Sequence, residues 1–329
     1  MYLSIGEAAE ILKEGGIVAI PTETVYGLAG NAFNETAVAK IFAVKKRPFF
    51  DPLIVHIAEF SELENLAAEI PENAKLLAEK FWPGPLTLVL PKKEKVPNLT
   101  TGGLSTVAVR MPKKQIARDI IKLAGFALAA PSANMFQHLS PTNAEHVFEQ
   151  LGSRIDGIVD GGACEVGIES TVIGFENERP IIYRPGAITN EMIAELLNNS
   201  QLSTFNSQLN KTPKSQPVSP GLLQKHYSPN TPFYLELPGE VPPNSGLLAF
   251  GKQPANSEKF SKILNLSESE NPTEAAANLY RMLHSLDSCE LSAIFATLLP
   301  KVGLGNAIND RLTKAAKRIL PQCQPNSPT

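Results

Sequence analysis

Cysteine is scarce in this chain. Its 329 residues include three cysteines, at positions 164, 289 and 323, and no two of them form a CxxC pair. We therefore expect neither a structural zinc site nor a disulfide framework. Long apolar runs are also missing, and the first residues carry neither a basic stretch nor an extended apolar segment. These absences predict a cytosolic (cytoplasmic) protein with no secretory signal and no contact with a membrane.

The familiar motifs of nucleotide binding and hydrolysis are absent as well. The sequence contains no GxxxxGK[ST], GxSxG or HExxH, and Gly303-Leu304-Gly305 lacks the third glycine of a GxGxxG motif. A nucleotide would therefore have to be bound by cationic side chains and a loop of another kind.

Charge is nearly balanced, with a formal net charge of -3. Residues 1–200 hold 18 Lys and Arg against 24 Asp and Glu, so this part is acidic. These numbers argue against a general nucleic-acid-binding surface there, and any local cluster of cations is more informative because it is an exception.

The order of patterns predicts a mixed α/β fold. Helical and strand-like segments alternate irregularly through residues 1–200, which argues against a strictly doubly wound sheet. Residues 201–230 are rich in Ser, Gln, Asn and Pro and predict a linker. Residues 231–329 predict a small, Rossmann-like α/β domain whose last helix covers 309–319.

A cationic turn is the most informative local feature. Lys45 and Arg47 are followed by Pro48 and, shortly after, by Pro52, and these prolines restrict the backbone of the turn. Lysine offers phosphate a compact charge, and arginine offers a planar fork. The alternative is a solvated helix end, which is where most charge runs are found.

Two other arginines each end an apolar strand. Arg110 follows residues 106–109, and Arg184 follows 181–183. An arginine in this position belongs either to a site at the edge of an α/β sheet or to an ordinary ion pair.

Several polar residues near the predicted strand ends have both a functional and a structural interpretation. Thr24 lies in the turn after the first strand, and His56 is either a ligand or a packed histidine. Ser132 and Asn134 follow another strand and suit an anion-binding nest, whereas Ser140 could simply cap the next helix.

Taken in order, these residues resemble the YrdC-like family of threonylcarbamoyl-AMP synthases in its longer, two-domain form. The resemblance covers nearly the whole chain. It rests on Pro21–Leu28, Lys45-x-Arg47-Pro48, Pro52–His56, Trp82–Thr87, Val107–Arg110, Ala130–Asn134, Ser140–Thr142, Gly167–Thr171, Arg184–Gly186 and, past the linker, Gly303–Ile308 with Asp310-Arg311.

The resemblance implies a fold and a reaction. The fold is a YrdC-like α/β domain with a twisted mixed sheet and an open nucleotide-binding cleft. The reaction joins L-threonine, bicarbonate and ATP into threonylcarbamoyl-AMP and pyrophosphate. Other proteins, threonylcarbamoyl transferases, then pass the threonylcarbamoyl group to an adenosine beside the anticodon of tRNA.

The resemblance also implies the site residues. L-Threonine would be held by Thr24, His56, Arg110, Ala130 and Ser170. ATP would be held by Arg47, Asp51, Thr106, Ser132, Asn134, Ser140, Arg184 and Tyr227. Lys45 and Arg47 are the expected catalytic residues, since they would offset the charge of the reacting anions. Mg²⁺ is expected to arrive with ATP rather than to be bound by a set of protein carboxylates.

Two departures from the family pattern concern this site. Asp51 stands where the family usually has asparagine, and Met135–Leu139 replaces a more basic stretch. We also expect residues 201–230 to fold over the site as a lid, with Tyr227 touching the nucleotide.

Two other functions stay open at this point. An RNA-binding module is disfavoured by the acidic first part, and the basic face formed by Arg311, Lys314, Lys317 and Arg318 is interpreted as a solvated helix surface. Direct binding of tRNA is therefore expected to be weak. A carbamoyltransferase on the same fold would be expected to carry cysteine-rich zinc modules, which this chain lacks.

Overall fold

A mixed nine-stranded sheet forms the centre of the first domain. The computed structural model describes residues 1–176, 178–197 and 226–317. The strands follow the order β7-β1-β2-β6-β3-β5-β4-β8-β9. Their bounds are β1 Val18–Ile20, β2 Gly27–Asn31, β3 Ile54–His56, β4 Leu86–Pro91, β5 Thr106–Arg110, β6 Leu128–Ala129, β7 Gly157–Ile158, β8 Thr171–Glu176 and β9 Arg179–Arg184.

Helices cover both faces of this sheet. Those described are α1 Ile5–Lys13, α2 Glu35–Lys45, α3 Glu72–Phe81, α4 Gln115–Ala124, α5 Ala144–Leu151 and α6 Asn190–Leu196. Ser4 and Glu7 form the capping box that begins α1, as the sequence predicts. Helices α1 and α4 bury their apolar sides in one cluster, and α2, α3 and α5 bury theirs in another.

Strand directions bring several chain segments to one edge of the sheet. β3 and β5 are parallel, with His56 opposite Arg110 at their ends. β4 runs antiparallel to β5 and parallel to β8, so both begin at that edge, and β9 returns to it at Arg184. The residues that end β3, β5 and β9 and those that begin β4 and β8 are therefore close in space.

The second domain is a four-stranded parallel sheet. Its order is β10-β13-β11-β12, with bounds β10 Phe233–Tyr234, β11 Ser245–Ala249, β12 Lys262–Asn265 and β13 Ala293–Ala296. The helices α7 Pro272–Asp287 and α8 Leu304–Ala315 pack against each other and belong to this domain. The parallel sheet agrees with the Rossmann-like expectation.

The predicted last helix was placed too late in the sequence. It begins at Leu304 rather than at residue 309. The sequence does not reveal this start, because the two glycines around Leu304 give a weak helical pattern. Gly305 nevertheless lies inside α8, where a Cβ atom would come within 2.0 Å of the Pro300 carbonyl oxygen. Strand β2 was also missed, since its sequence GLAGN has low strand propensity.

The two domains share a hydrophobic cluster. Val25, Leu139 and Ile168 of the first domain pack with α7 and α8 residues such as Leu279 and Ile308.

Of the helices in residues 1–176, 178–197 and 226–317, none has both the length and the apolar character needed to cross a bilayer.

Candidate functional site

A cavity opens at the edge where the strand ends converge. Its space between protein atoms is about 560 Å³, including the part open to solvent. Nine of the predicted site residues line it, and they are Thr24, Arg47, His56, Arg110, Ala130, Ser132, Ser170, Arg184 and Tyr227. Five do not line it, namely Lys45, Asp51, Thr106, Asn134 and Ser140.

Arg110 is held from three sides. Its Nη2 forms a buried ion pair with Glu23 at 2.7 Å, Nη1 donates to Thr24 Oγ1 at 2.8 Å, and Nε donates to the Gly84 carbonyl. The Thr22 hydroxyl donates to Val25 O, so Thr24 donates to Thr22 and accepts from Arg110. Arg110 has five N–H groups, and three of them donate to these described residues. The other two remain available to donate to a ligand.

His56 is buried beside Arg110 and is neutral. Burial and the nearby guanidinium lower the pKa of His56 to about 3. Its Nδ1 lies 3.2 Å from the Ile54 carbonyl oxygen, which can only accept, so Nδ1 carries the proton. The other ring nitrogen, Nε2, is then an acceptor at the cavity wall.

Ser170 and Arg184 form a second polar group on the cavity wall. The Arg184 side chain donates to both Ser170 O and Ser170 Oγ, at 3.1 and 3.0 Å. The Ser170 hydroxyl also contacts Thr87 Oγ1 at 2.7 Å. Since Ser170 precedes β8 and Arg184 ends β9, this pair depends on the register of the two strands.

Arg47 is paired with Asp51 in a buried position. The distance between Arg47 Nη2 and Asp51 Oδ2 is 3.0 Å, and both side chains are at most 4% exposed. Arg47 also donates to the Pro52 carbonyl. Although the two charges are close, neither Asp51 oxygen accepts a well-formed hydrogen bond from the described residues. Burial raises the pKa of Asp51, and Arg47 and Lys45 act in the opposite direction.

Lys45 is buried rather than solvated, so the alternative of a solvated helix end is wrong for this residue. Its Nζ donates to the Ser132 and Asn134 carbonyl oxygens, both at 2.5 Å, and therefore binds the loop after β6 to the end of α2. Burial and the neighbouring Arg47 lower the pKa of Lys45 well below its ordinary value. Lys46 takes a left-handed conformation and turns the chain away from the helix.

The remaining predicted residues lie outside the cavity wall. The Asn134 amide donates to the carbonyls of Met135 and His138 and so shapes the loop that the sequence marked as atypical. Thr106 begins β5 and Arg110 ends it, about 13 Å away at the usual strand rise. Ser140 does not cap a helix, because Asn143 caps α5.

Ser140 instead donates to Glu169, at 2.6 Å. Sequence reasoning assigned no role to Glu169, which lines the cavity and also accepts from Tyr280 and Arg311 of the second domain. Burial acts to raise the pKa of Glu169, but Arg311, Arg184 and Ser140 outweigh it and lower the pKa to about 2. A glutamate just before Ser170-Thr171 in a glycine-rich segment was the available signal for this role.

The interpretation of Arg311 as part of a solvated surface is wrong. Its side chain is 1% exposed and forms an ion pair with Glu169 at 2.8 Å. Helical periodicity could not reveal this contact, because the partner lies 142 residues earlier in the chain. Lys317 is exposed as expected, and Arg318 lies outside the described residues.

His226 and Tyr227 close one side of the cavity. Both are buried, and Arg311 lies 5.3 Å from the centre of the Tyr227 ring. Tyr227 Oη and His226 Nδ1 are enclosed without a hydrogen-bond partner among the described residues, as are both Asp51 oxygens. Buried polar atoms of this kind suit a polar ligand. Residues 201–225 of the predicted lid lie outside the described part of the chain, so closure stays a prediction.

No metal centre of ordinary composition is formed by residues 1–176, 178–197 and 226–317. Within those ranges, no three His, Cys, Asp or Glu side chains come together in a way that could hold an ion.

Comparison with known families gives two adjoining matches. The Sua5/YciO/YrdC family model, described as "Telomere recombination", matches residues 10–186. The model described as "Threonylcarbamoyl-AMP synthase, C-terminal domain" matches residues 188–317.

Individual relatives match over almost their full length. The chain is 41% identical to the threonylcarbamoyl-AMP synthase of Pyrococcus abyssi, over 94% of this chain and 93% of that protein. It is also 41% identical to that of Bacillus subtilis, over 95% and 92%. The crystal structure of P. abyssi Sua5 complexed with L-threonine superimposes with a TM-score of 0.85 at 40% identity, covering 95% of this chain and 94% of that one. The chain belongs to the threonylcarbamoyl-AMP synthase family.

Proposed function

We propose that this protein makes threonylcarbamoyl-AMP and pyrophosphate from L-threonine, bicarbonate and ATP, the first step in forming threonylcarbamoyladenosine in tRNA. The observation that carries the proposal is the convergence of Arg47, Arg110 and Arg184 with a neutral His56 on one cavity. Three buried cations around a small space suit reactants that each carry an anionic group.

L-Threonine takes the part of the cavity beside Arg110 in this proposal. The free N–H groups of Arg110 suit its carboxylate, and His56 Nε2 can accept from its ammonium or hydroxyl group. Thr24, Ser170 and the backbone at Ala130 complete the threonine contacts. Support comes from the related P. abyssi structure, which is a complex with L-threonine.

ATP takes the part beside Arg47, Arg184 and Tyr227. Ser132 also faces this space. The other predicted nucleotide residues, Asp51, Asn134, Ser140 and Thr106, do not line the cavity and would act on ATP through their neighbours. Lys45 acts through the loop whose carbonyls it holds, rather than by touching the phosphates, because it does not line the cavity.

The reaction needs proximity and charge compensation. Threonine's amine adds to bicarbonate with loss of water to give a carbamate, whose oxygen attacks the α-phosphorus of ATP as pyrophosphate leaves. Arg47, Arg110 and Arg184 bring the anions together at fixed positions. A protein nucleophile is not needed for these steps.

Mg²⁺ enters with the triphosphate in this proposal and neutralises part of its charge. Asp51 does not line the cavity, so it would act on the nucleotide through its ion pair with Arg47 rather than by direct contact with the ion. The transferases that consume the product, and a cytoplasmic location beside them, also belong to the proposal.

Pyrophosphate release tests the proposed reaction. We expect release from ATP and Mg²⁺ only when L-threonine and bicarbonate are both present, with threonylcarbamoyl-AMP detected by mass spectrometry. Release that ignores threonine would contradict the proposal, and turnover of carbamoyl phosphate in place of ATP would favour a carbamoyltransferase. Salt-sensitive tRNA binding without release would favour an RNA-binding module.

Thr24→Val is expected to weaken threonine binding selectively. It removes the oxygen that accepts from Arg110 Nη1 and leaves that donor buried, which costs about 1–3 kcal/mol. We expect the KM for threonine to rise about tenfold and the KM for ATP to stay unchanged. Thr36→Val, at an exposed position of α2, is the matched control. Equal increases in both KM values would contradict the assignment of Thr24 to threonine.

A further inference from the structure

Arg311 joins two chain segments that carry cavity residues. Its Nε donates to Glu169 at 2.8 Å, and its Nη1 donates to the Pro185 carbonyl at 2.7 Å. Glu169 directly precedes Ser170, and Pro185 directly follows Arg184. One guanidinium from α8 therefore holds the side chain of the residue before Ser170 and the backbone of the residue after Arg184.

The surroundings of Arg311 make this contact rigid. The guanidinium is 1% exposed, and Asp310 binds the same Nη1 at 2.9 Å. Tyr280 of α7 donates to both Glu169 oxygens at 3.1 Å, so two helices of the second domain fix this carboxylate. A planar guanidinium that donates to Glu169 and Pro185 at once imposes position as well as charge, and a lysine does not reproduce this geometry.

Arg311 also contacts a third residue of the cavity wall, Tyr227. Its guanidinium lies over the ring of Tyr227, 5.3 Å from the ring centre, and burial raises the pKa of the Tyr227 hydroxyl to about 12. Arg311 itself does not line the cavity. Any influence it has on substrates must therefore act through the residues it holds.

The geometry points to Arg311 as a positioning residue, by which the second domain sets the active geometry of Ser170, Arg184 and Tyr227. This inference rests on the proposed function, since Ser170 is assigned there to threonine and Arg184 to ATP. A positioning residue behind both has a recognisable effect. Its loss weakens the use of both substrates together, whereas loss of one direct contact affects one substrate.

Arg311→Lys in the full chain tests this inference. Lysine retains a positive charge beside Glu169, so the variant should fold. It cannot also reach the Pro185 carbonyl, so the second contact is lost. We expect kcat/KM to fall by about a hundredfold for ATP and for threonine alike, the scale of small misplacements of reacting groups. Arg281→Lys, on the exposed side of α7, is the matched control and should match the parent.

Hydrogen exchange supplies a readout that does not depend on activity. In Arg311→Lys and Arg311→Gln, we expect faster exchange in residues 167–171 and 184–188 and unchanged exchange in β1. If Arg311→Gln does not fold, Arg311→Lys decides. Folded Arg311 variants with parental exchange in both segments and parental kcat/KM would overturn the inference. If the parent releases no pyrophosphate, the proposed function fails, while exchange still decides whether Arg311 holds the two segments.

Discussion

Arg47→Gln is expected to lower kcat/KM for ATP by about 100- to 1000-fold. A charge-stabilising donor aimed at a reacting group is typically worth about 2.7–4 kcal/mol in activation free energy, and glutamine retains polarity without the charge. The measurement is pyrophosphate release at varied ATP with threonine and bicarbonate saturating.

The buried partner of Arg47 requires a second variant. Arg47→Gln alone leaves the Asp51 carboxylate without its ion pair, which costs about 3–5 kcal/mol of folding stability. Arg47→Gln/Asp51→Asn removes both charges and should unfold in urea near the parent's midpoint while remaining equally inactive. Recovery of turnover in the double variant would show that the single variant fails through folding, and the assignment of Arg47 to ATP would be wrong.

Acid is expected to destabilise the fold well before its carboxylates are protonated. Burial lowers the pKa of His56 and of His146 to about 3, and it lowers the pKa values of His226 and His284 as well. An unfolded chain binds protons at these positions below about pH 6.5, whereas the folded chain does not. Stability is therefore fully present above that pH and falls as the pH decreases.

The expected loss is large. Each histidine that stays neutral costs about 2 kcal/mol between pH 7 and pH 5, so His56 and His146 alone account for about 4 kcal/mol. Typical total stabilities are only about 5–15 kcal/mol. The raised pKa of Asp51 acts in the opposite direction. Urea unfolding at several pH values measures the net slope.

His146→Gln is the informative variant for this slope. His146 stacks on His284 with ring centres 3.8 Å apart, and Arg281 adds positive charge nearby, so protonation there is especially unfavourable. The variant should lose about 2 kcal/mol of the difference in unfolding free energy between pH 7 and pH 5. An unchanged difference would place the titrating group elsewhere.

Local sequence patterns predicted most of the helices and strands of the first domain. The capping box at Ser4, the apolar run before Arg110 and the return at Arg184 each fix an element through neighbouring residues, and the structure has all three. The cationic cluster was also recognisable, because cations are exceptional in an acidic domain. These features depend on short stretches of chain, which a single sequence shows directly.

The contacts of Arg311, Lys45 and Glu169 that the sequence did not reveal cross long separations. Nothing near Arg311 indicates a carboxylate 142 residues away, and a lysine that ends a helix gives no sign that it will be covered by the loop after β6. The role of Glu169 depends on three partners in different elements. Burial of a charge is decided by how elements pack together, so periodicity predicts a solvated face where the fold supplies a countercharge.

The contact between Glu169 and α8 limits how the two halves of this protein can be recombined. Without the second domain, the first domain would expose Val25, Leu139 and Ile168 to water. The Glu169 carboxylate would also lose its ion pair with Arg311. A chimera with a foreign second half would have to bring an arginine and a tyrosine to the places of Arg311 and Tyr280. Substitutions at Arg311 and Tyr280 are therefore expected to occur together.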